Sequence, residues 1–275
     1  MEFVIVTFYR FVELSNYYDM KNRLADFCKN IGLKGTILLA EEGINSTISG
    51  TKSAIDDFFK FLDLDDRLCN LKWQKTYASF QPFGKMKVRL KKEIVTLGIS
   101  DLLPSLKGEY IKPENWDDFI SSPDVYVIDT RNEYEIKLGK FSNAINPNTQ
   151  NFRDFPKWAE FWMQDKSKNK SKIAMYCTGG IRCEKSTAYM TSLGFKQVYH
   201  LKGGIINYLA KKQNSSNTWQ GECFVFDDRV VVSNSLLPSD EIKCVSCAQK
   251  VTTDELKSVP HGQVICYHCK SLNVN

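Results

Sequence analysis

The chain predicts a ferredoxin-like α+β domain, then an α/β domain with a parallel sheet, and last a small four-cysteine tail. Three observations support this. Over residues 1–95, strand and helix patterns follow one another as β-α-β-β-α-β, which gives a compact α+β sandwich. Over 111–215, short apolar strands alternate with helical sequence, the pattern of a parallel α/β sheet. From Cys244 onward, two C-x-x-C pairs fall close together. The composition, 43% hydrophobic and 25% charged over 275 residues, is that of a globular chain with room for more than one core. It excludes a chain dominated by disorder or low complexity.

The first domain opens with a β-rich run at 3–8. From 14 to 31, Tyr18, Leu24, Phe27, Cys28 and Ile31 recur at helical spacing. Two short strands, 35–39 and 44–48, flank Glu41-Glu42-Gly43, a hairpin turn in which glycine takes positive φ. Thr51 caps an amphipathic helix carrying Ile55, Phe58, Phe59 and Leu62, and an extended region follows over 73–90. Residues 96–110, with Gly98, Pro104 and Gly108 and no periodicity, read as a linker. In the second domain, strands are expected at 125–129, 172–176 and 198–201. The Asn/Ser run at 214–217 breaks the pattern, and 216–275 is a C-terminal extension that is β-rich over 219–232.

Cysteine use points to a reducing compartment. Of nine cysteines, only Cys28 and Cys69 precede Cys177, unlike the even density of a secreted disulfide scaffold. Met1-Glu2-Phe3 places an acid where a secretion signal needs positive charge, and no run approaches about 18 apolar residues. A cytoplasmic protein with no membrane partner is expected. The net charge of +5 permits a polyanionic partner without requiring one.

The most informative segment is Met175-Tyr176-Cys177-Thr178-Gly179-Gly180-Ile181-Arg182-Cys183-Glu184-Lys185-Ser186. An apolar strand ends at Cys177 and a helix begins near Cys183, so Cys177 sits at the carboxyl end of a parallel strand, where ligand sites form. Thr178, Gly179, Gly180 and Ile181 make a loop whose amides converge on one point, backed by the positive end of the helix and by Arg182. Such a cradle lowers the Cys177 pKa and makes it a nucleophile near neutral pH. A buried, inert cysteine beside a tight turn is the bland alternative. Cys183 either resolves an oxidised Cys177 or merely starts the helix. Asp129 and Arg131 lie just past a neighbouring strand end, and Arg131 with Glu135, four residues on, reads as an ion pair bracing the loop. No nucleotide-cofactor motif is present: Lys185-Ser186 follows Glu184, so no phosphate-loop frame fits.

Lys85, Lys87, Arg89 and Lys91 alternate with Met86, Val88 and Leu90, which on a strand separates cations from apolar residues. Trp73, Tyr77, Phe80 and Phe83 lie upstream as stacking surfaces for a nucleic acid. A solvated edge strand explains the same pattern. A second basic run, Lys166, Lys168, Lys170 and Lys172, reads as a solvated loop. In the tail, Cys244-x-x-Cys247, eighteen residues, then Cys266-x-x-Cys269 has the spacing of a closed structural zinc site. His261 and His268 are weaker candidate ligands.

Cys177 through Arg182 resembles the six-residue active-site loop of rhodaneses, and Asp129-Thr130-Arg131 followed by Glu135 resembles their D-x-R-x-x-x-E element. Cysteine phosphatases have one more residue between the cysteine and the arginine. Residues 35–45, 85–89, 129–135, 177–186 and 221–227 together, in that order, resemble the rhodanese-like tRNA uridine hydroxylases. The resemblance implies hydroxylation of the wobble uridine, position 34, of tRNA to 5-hydroxyuridine, with molecular oxygen as co-substrate and the tRNA anticodon loop as partner. It favours an RNA role for Lys85, Lys87 and Arg89, and it makes Cys177 the reactive group, as thiolate or persulfide. The alternative activity is a sulfurtransferase carrying a persulfide on Cys177 to an acceptor. A non-catalytic binding module is disfavoured by the presence of both Cys177 and Arg182. No oligomeric state follows from the sequence.

Overall fold

In strand β1 (Phe3–Phe11), Val4, Val6 and Phe8 are buried two residues apart, so one face of the strand enters a core. A computed structural model describes residues 2–99, 102, 104–165, 171–213, 217–239, 244, 246, 249, 251, 265, 266 and 269, in two units, Met1–Thr96 and Leu97–Asn275. After β1 the first unit runs α1 (Tyr17–Asn30), β2 (Lys34–Ala40), β3 (Gly43–Gly50), α2 (Lys52–Leu62), β4 (Trp73–Ala78) and β5 (Met86–Leu90). The sheet order is β4-β1-β3-β2-β5. Leu24 and Cys28 of α1 and Ile55, Phe58 and Leu62 of α2 join the core formed with the sheet. This is the expected ferredoxin-like arrangement, with one addition: the extended region over 73–90 supplies two strands, placed at opposite edges. β4 pairs antiparallel with β1, and β5 pairs parallel with β2.

Local chemistry sets these boundaries. Gly43 opens β3 at φ 142°, and a Cβ there would lie 2.0 Å from the Arg10 carbonyl oxygen, so the β2–β3 turn closes only on glycine. Thr51 caps α2, its hydroxyl accepting the Ala54 N–H at 3.2 Å.

The second unit contains β6 (Glu109–Ile111), α3 (Pro113–Ile120), β7 (Val125–Asp129), α4 (Glu133–Ile136), β8 (Gly139–Phe141), α5 (Phe155–Met163), β9 (Lys172–Tyr176), α6 (Ile181–Ser192), β10 (Val198–Leu201), α7 (Gly204–Lys212), β11 (Trp219–Gly221), β12 (Cys223–Phe224) and β13 (Val231–Val232). Its main sheet is parallel, in the order β6-β10-β9-β7, so β9 is an interior strand. That placement explains why β9 reads as a continuous apolar run rather than an alternating one.

Two features differ from the sequence reading. The linker expected over 96–110 runs into β6, whose three residues are too few to show periodicity. Gly108, just before it, donates to the Thr187 hydroxyl at 3.0 Å and leaves no room for a Cβ against Val198. The extension after residue 216 is also built into this unit. β11 pairs with β8, and Trp219 packs edge-on against Phe141 with centroids 5.2 Å apart. No helix among the described residues is long and apolar enough to cross a membrane.

Candidate active site

The buried apolar strand β9 delivers the chain to Cys177, and Gly180, at φ 98°, turns it into α6. The helix therefore starts at Ile181, two residues earlier than expected, and Cys183 lies inside its first turn. The Gly180 N–H donates to Cys177 Sγ at 3.1 Å. Behind the loop, Gly204 at φ 66° comes so close that a Cβ would lie 2.4 Å from the Cys177 carbonyl oxygen and 2.7 Å from the Gly180 nitrogen. The Ile205 and Ile206 N–H groups donate to the Cys177 and Thr178 carbonyls at 3.0 and 3.1 Å. Two helix N-termini, those of α6 and α7, thus converge on one loop.

Cys177 and Cys183 are both fully buried. Burial alone raises a thiol pKa, as it does for Cys28 and Cys223, each pushed up to about 12. At Cys177 burial is outweighed by the Cys183 thiol, the Arg182 charge and the Cys183 and Arg182 amides, which bring it down to about 6. Cys183 moves the other way, well above an ordinary thiol, through burial and then its bond to Cys177. The Thr130 hydroxyl lies 3.6 Å from Cys183 Sγ. These opposite shifts favour a thiolate at Cys177 and a protonated thiol at Cys183. Of the loop, Gly179 and Ile181 are half-buried, so the rim open to solvent is on their side.

Arg182 is held by Glu135: Nη1 to Oε2 at 2.6 Å and Nη2 to Oε1 at 2.8 Å, both side chains buried. Thr178 Oγ1 accepts from Arg182 at 3.2 Å and donates to Glu135 at 3.2 Å. Burial pushes the Glu135 carboxyl up, but Arg182, Arg131 and the Asn132 N–H outweigh it and hold Glu135 ionised. This corrects the expected Arg131–Glu135 pair. Residue 131 lies before the Asn132 N-cap of α4, so no shared helix face exists, and Glu135 turns back to cap its own helix at the Asn132 N–H, 3.0 Å away. Arg131 instead pairs with Asp129 at 2.6 Å, donates to the Gly139 and Glu135 carbonyls, and lies over the rings of Tyr176 and Trp219. Asp129 and Arg131 therefore brace the strand ends around the loop.

The remaining sequence candidates are on other elements. In the first unit, Lys85 and Arg89 are exposed and Lys87 is half-buried, while Met86, Val88 and Leu90 pack on the core. Two of the aromatic residues do not continue that surface. Trp73 and Tyr77 are on β4, at the opposite edge of the sheet, and Trp73 stacks on Phe59 at 5.2 Å. Lys172 pairs with Asp124 at 3.1 Å; Lys166, Lys168 and Lys170 lie outside the described residues. In the tail, the sulfurs of Cys244, Cys266 and Cys269 are buried and within 4.8 Å of one another. The Ser246 and Cys266 amides point at Cys244 Sγ, 3.4 and 3.3 Å away. This cluster could hold a metal ion. Cys247, His261 and His268 lie outside the described residues.

Sequence reasoning missed the role of Glu135 as the Arg182 partner and the role of Gly204. A signal for the second existed: Gly203-Gly204-Ile205 after β10 repeats Gly179-Gly180-Ile181 after β9. Replacing Glu135 by Gln leaves Arg182 as a buried unpaired charge, and chemical denaturation should report a loss of about 3–5 kcal/mol. Lys52→Ala, which breaks the exposed pair with Asp56, should leave the unfolding midpoint in place.

Comparison with known proteins agrees with this architecture. Residues 3–94 match the UPF0176 acylphosphatase like domain, and residues 113–211 match the Rhodanese-like domain. A protein of Wolbachia pipientis subsp. Culex pipiens (strain wPip), named tRNA uridine(34) hydroxylase, is 66% identical over 274 residues, covering 100% of this chain and 96% of its own. Relatives of the same name in Ehrlichia ruminantium (strain Welgevonden) and Anaplasma marginale (strain St. Maries) are 57% and 55% identical. Each matches 98% of this chain, over 99% and 97% of its own length. Likeness of this degree from one end to the other means that the chain belongs to the tRNA uridine(34) hydroxylase family.

Proposed function

We propose that this protein hydroxylates uridine 34 of tRNA at C5 of the base, with Cys177 as the reacting group. The observation that carries this reading is buried Cys177 at the end of β9, its sulfur accepting the Gly180 N–H, in a chain whose full-length relatives are named for that hydroxylation. Position 34 lies in the single-stranded anticodon loop, where a base is extruded at low cost. The thiolate adds to C6 of uracil, forming a C–S bond and moving the C5–C6 electron pair onto an enolate with density at C5. C5 takes one atom of molecular oxygen. The other leaves as water, with two electrons and two protons from a thiol reductant. Loss of the C5 proton and expulsion of the Cys177 thiolate restore the double bond. Arg182 is committed to Glu135, so it contributes positive potential at the sulfur rather than a grip on the substrate. The α6 amides meet the enolate charge.

Lys85, Lys87 and Arg89 would contact tRNA phosphates from the β5 edge. The tail would hold structural zinc through Cys244, Cys266 and Cys269, with Cys247 as fourth ligand. Zn–S bonds of about 2.3 Å put tetrahedral sulfurs about 3.8 Å apart, compatible with the observed cluster. Zinc would supply closure of the tail, not chemistry on the base. Elemental analysis should find zinc at about one per chain, lost in Cys266→Ser; metal-free fresh protein would contradict the assignment.

Nucleoside mass spectrometry of tRNA tests the activity. A strain lacking this protein should lack 5-hydroxyuridine at position 34, and wild-type protein but not Cys177→Ser should restore it. Restoration by Cys177→Ser would exclude the cysteine mechanism. Thiosulfate-to-cyanide transfer by a protein that forms no 5-hydroxyuridine would favour the persulfide sulfurtransferase.

A further inference from the structure

The loop joining β12 and β13 places an aromatic ring beside the Cys177 loop. Phe226 is 59% exposed, yet it is fixed from behind. Phe224, buried, meets it edge-on at 5.1 Å and itself packs against Tyr134 at 5.3 Å. The backbone is closed by Val225 N–H to the Val230 carbonyl at 2.8 Å and Val230 N–H to the Asp227 carbonyl at 2.9 Å. Inside the turn, Arg229 and Asp227 form a buried ion pair at 2.6 Å, and Arg229 also donates its own N–H to the same carboxylate at 3.1 Å. Burying that pair is costly, and a ring left in water gains little from the hydrophobic effect. What the loop secures is the position of the ring.

The Phe226 ring lies 5.9 Å from the guanidinium carbon of Arg182, the last residue of the Cys177 loop. Gly179, half-buried at the rim of the Cys177 loop, presents no side chain to obstruct a planar ligand. We infer that Phe226 is the surface on which the extruded pyrimidine stacks, so that C6 of the base is brought to Cys177. This rests on the hydroxylase reading and adds to it the residue that recognises the flipped base. An aromatic face accepts any base by stacking, so Phe226 governs affinity for an unpaired nucleobase rather than for one sequence.

The test uses the full-length protein and two tRNAs identical except that one carries uridine at position 34 and the other an abasic site. Wild-type protein should prefer the uridine form by roughly ten- to a hundredfold in Kd. Phe226→Ala and Phe226→Leu should bind both forms alike, and Phe226→Trp should retain the preference. The pH midpoint of Cys177 alkylation should be the same in all three variants. An undiminished preference in Phe226→Ala, or one retained by Phe226→Leu, overturns the inference. A displaced alkylation midpoint in Phe226→Ala also overturns it, since the ring would then serve Arg182 rather than a base. Wild-type protein that restores 5-hydroxyuridine in cells but shows no preference defeats the stacking role alone. No preference together with no 5-hydroxyuridine defeats the hydroxylase reading as well.

Discussion

The Glu135–Arg182 ion pair, bidentate and buried, is the contact on which the rest of the second unit's chemistry depends. A buried guanidinium is tolerable only with its charge met and its donors satisfied. Glu135 supplies both oxygens, and Thr178 takes a further donor. Because Glu135 also caps α4 and Arg182 lies in the first turn of α6, the pair ties the start of one helix to the start of another across the strand ends. Its positive partner is then held where it lowers the Cys177 pKa. The other buried thiols of the described residues with resolved shifts are all pushed up, and at Cys183 and Cys223 burial outweighs the arginine charges that act on them.

Two buried cysteines side by side are shifted in opposite directions because the donors around them differ. Cys177 receives the Gly180 N–H, the helix amides and the arginine field, whereas Cys183 gives its proton toward Cys177. The separation favours ionisation of Cys177 and protonation of Cys183. The glycine pairs at 179–180 and 203–204 allow this by letting both α6 and α7 begin against the same loop.

Much of this was legible in the residues. The strand end at Cys177, the two glycines and Arg182 stand in one run, so the setting of this cysteine is local and readable. α6 starts earlier than its residues suggest because Gly180, in the left-handed region, decides it, and propensity does not record that choice. The Arg131–Glu135 pairing failed for a different reason. Spacing of four is informative only on a helix, and α4 begins after Arg131. The true partner of Glu135 is 47 residues away, where spacing carries no information. Likewise β6 is too short to show a period, and the cations of β5 were separated from Trp73 and Tyr77 by sheet order rather than by sequence.

The central claim is that Cys177 is a thiolate at neutral pH. Trypsin cleaves after Arg182 and so places Cys177 and Cys183 on different peptides, which lets mass spectrometry follow carbamidomethylation of Cys177 alone as a function of pH. The folded pKa of about 6 lies below that of an ordinary thiol, so reactivity should fall as pH drops through about 6 and be level above about pH 7. A rate that keeps rising through about pH 8 to 9, as for an ordinary thiol titrating at about 8.5, would contradict the account.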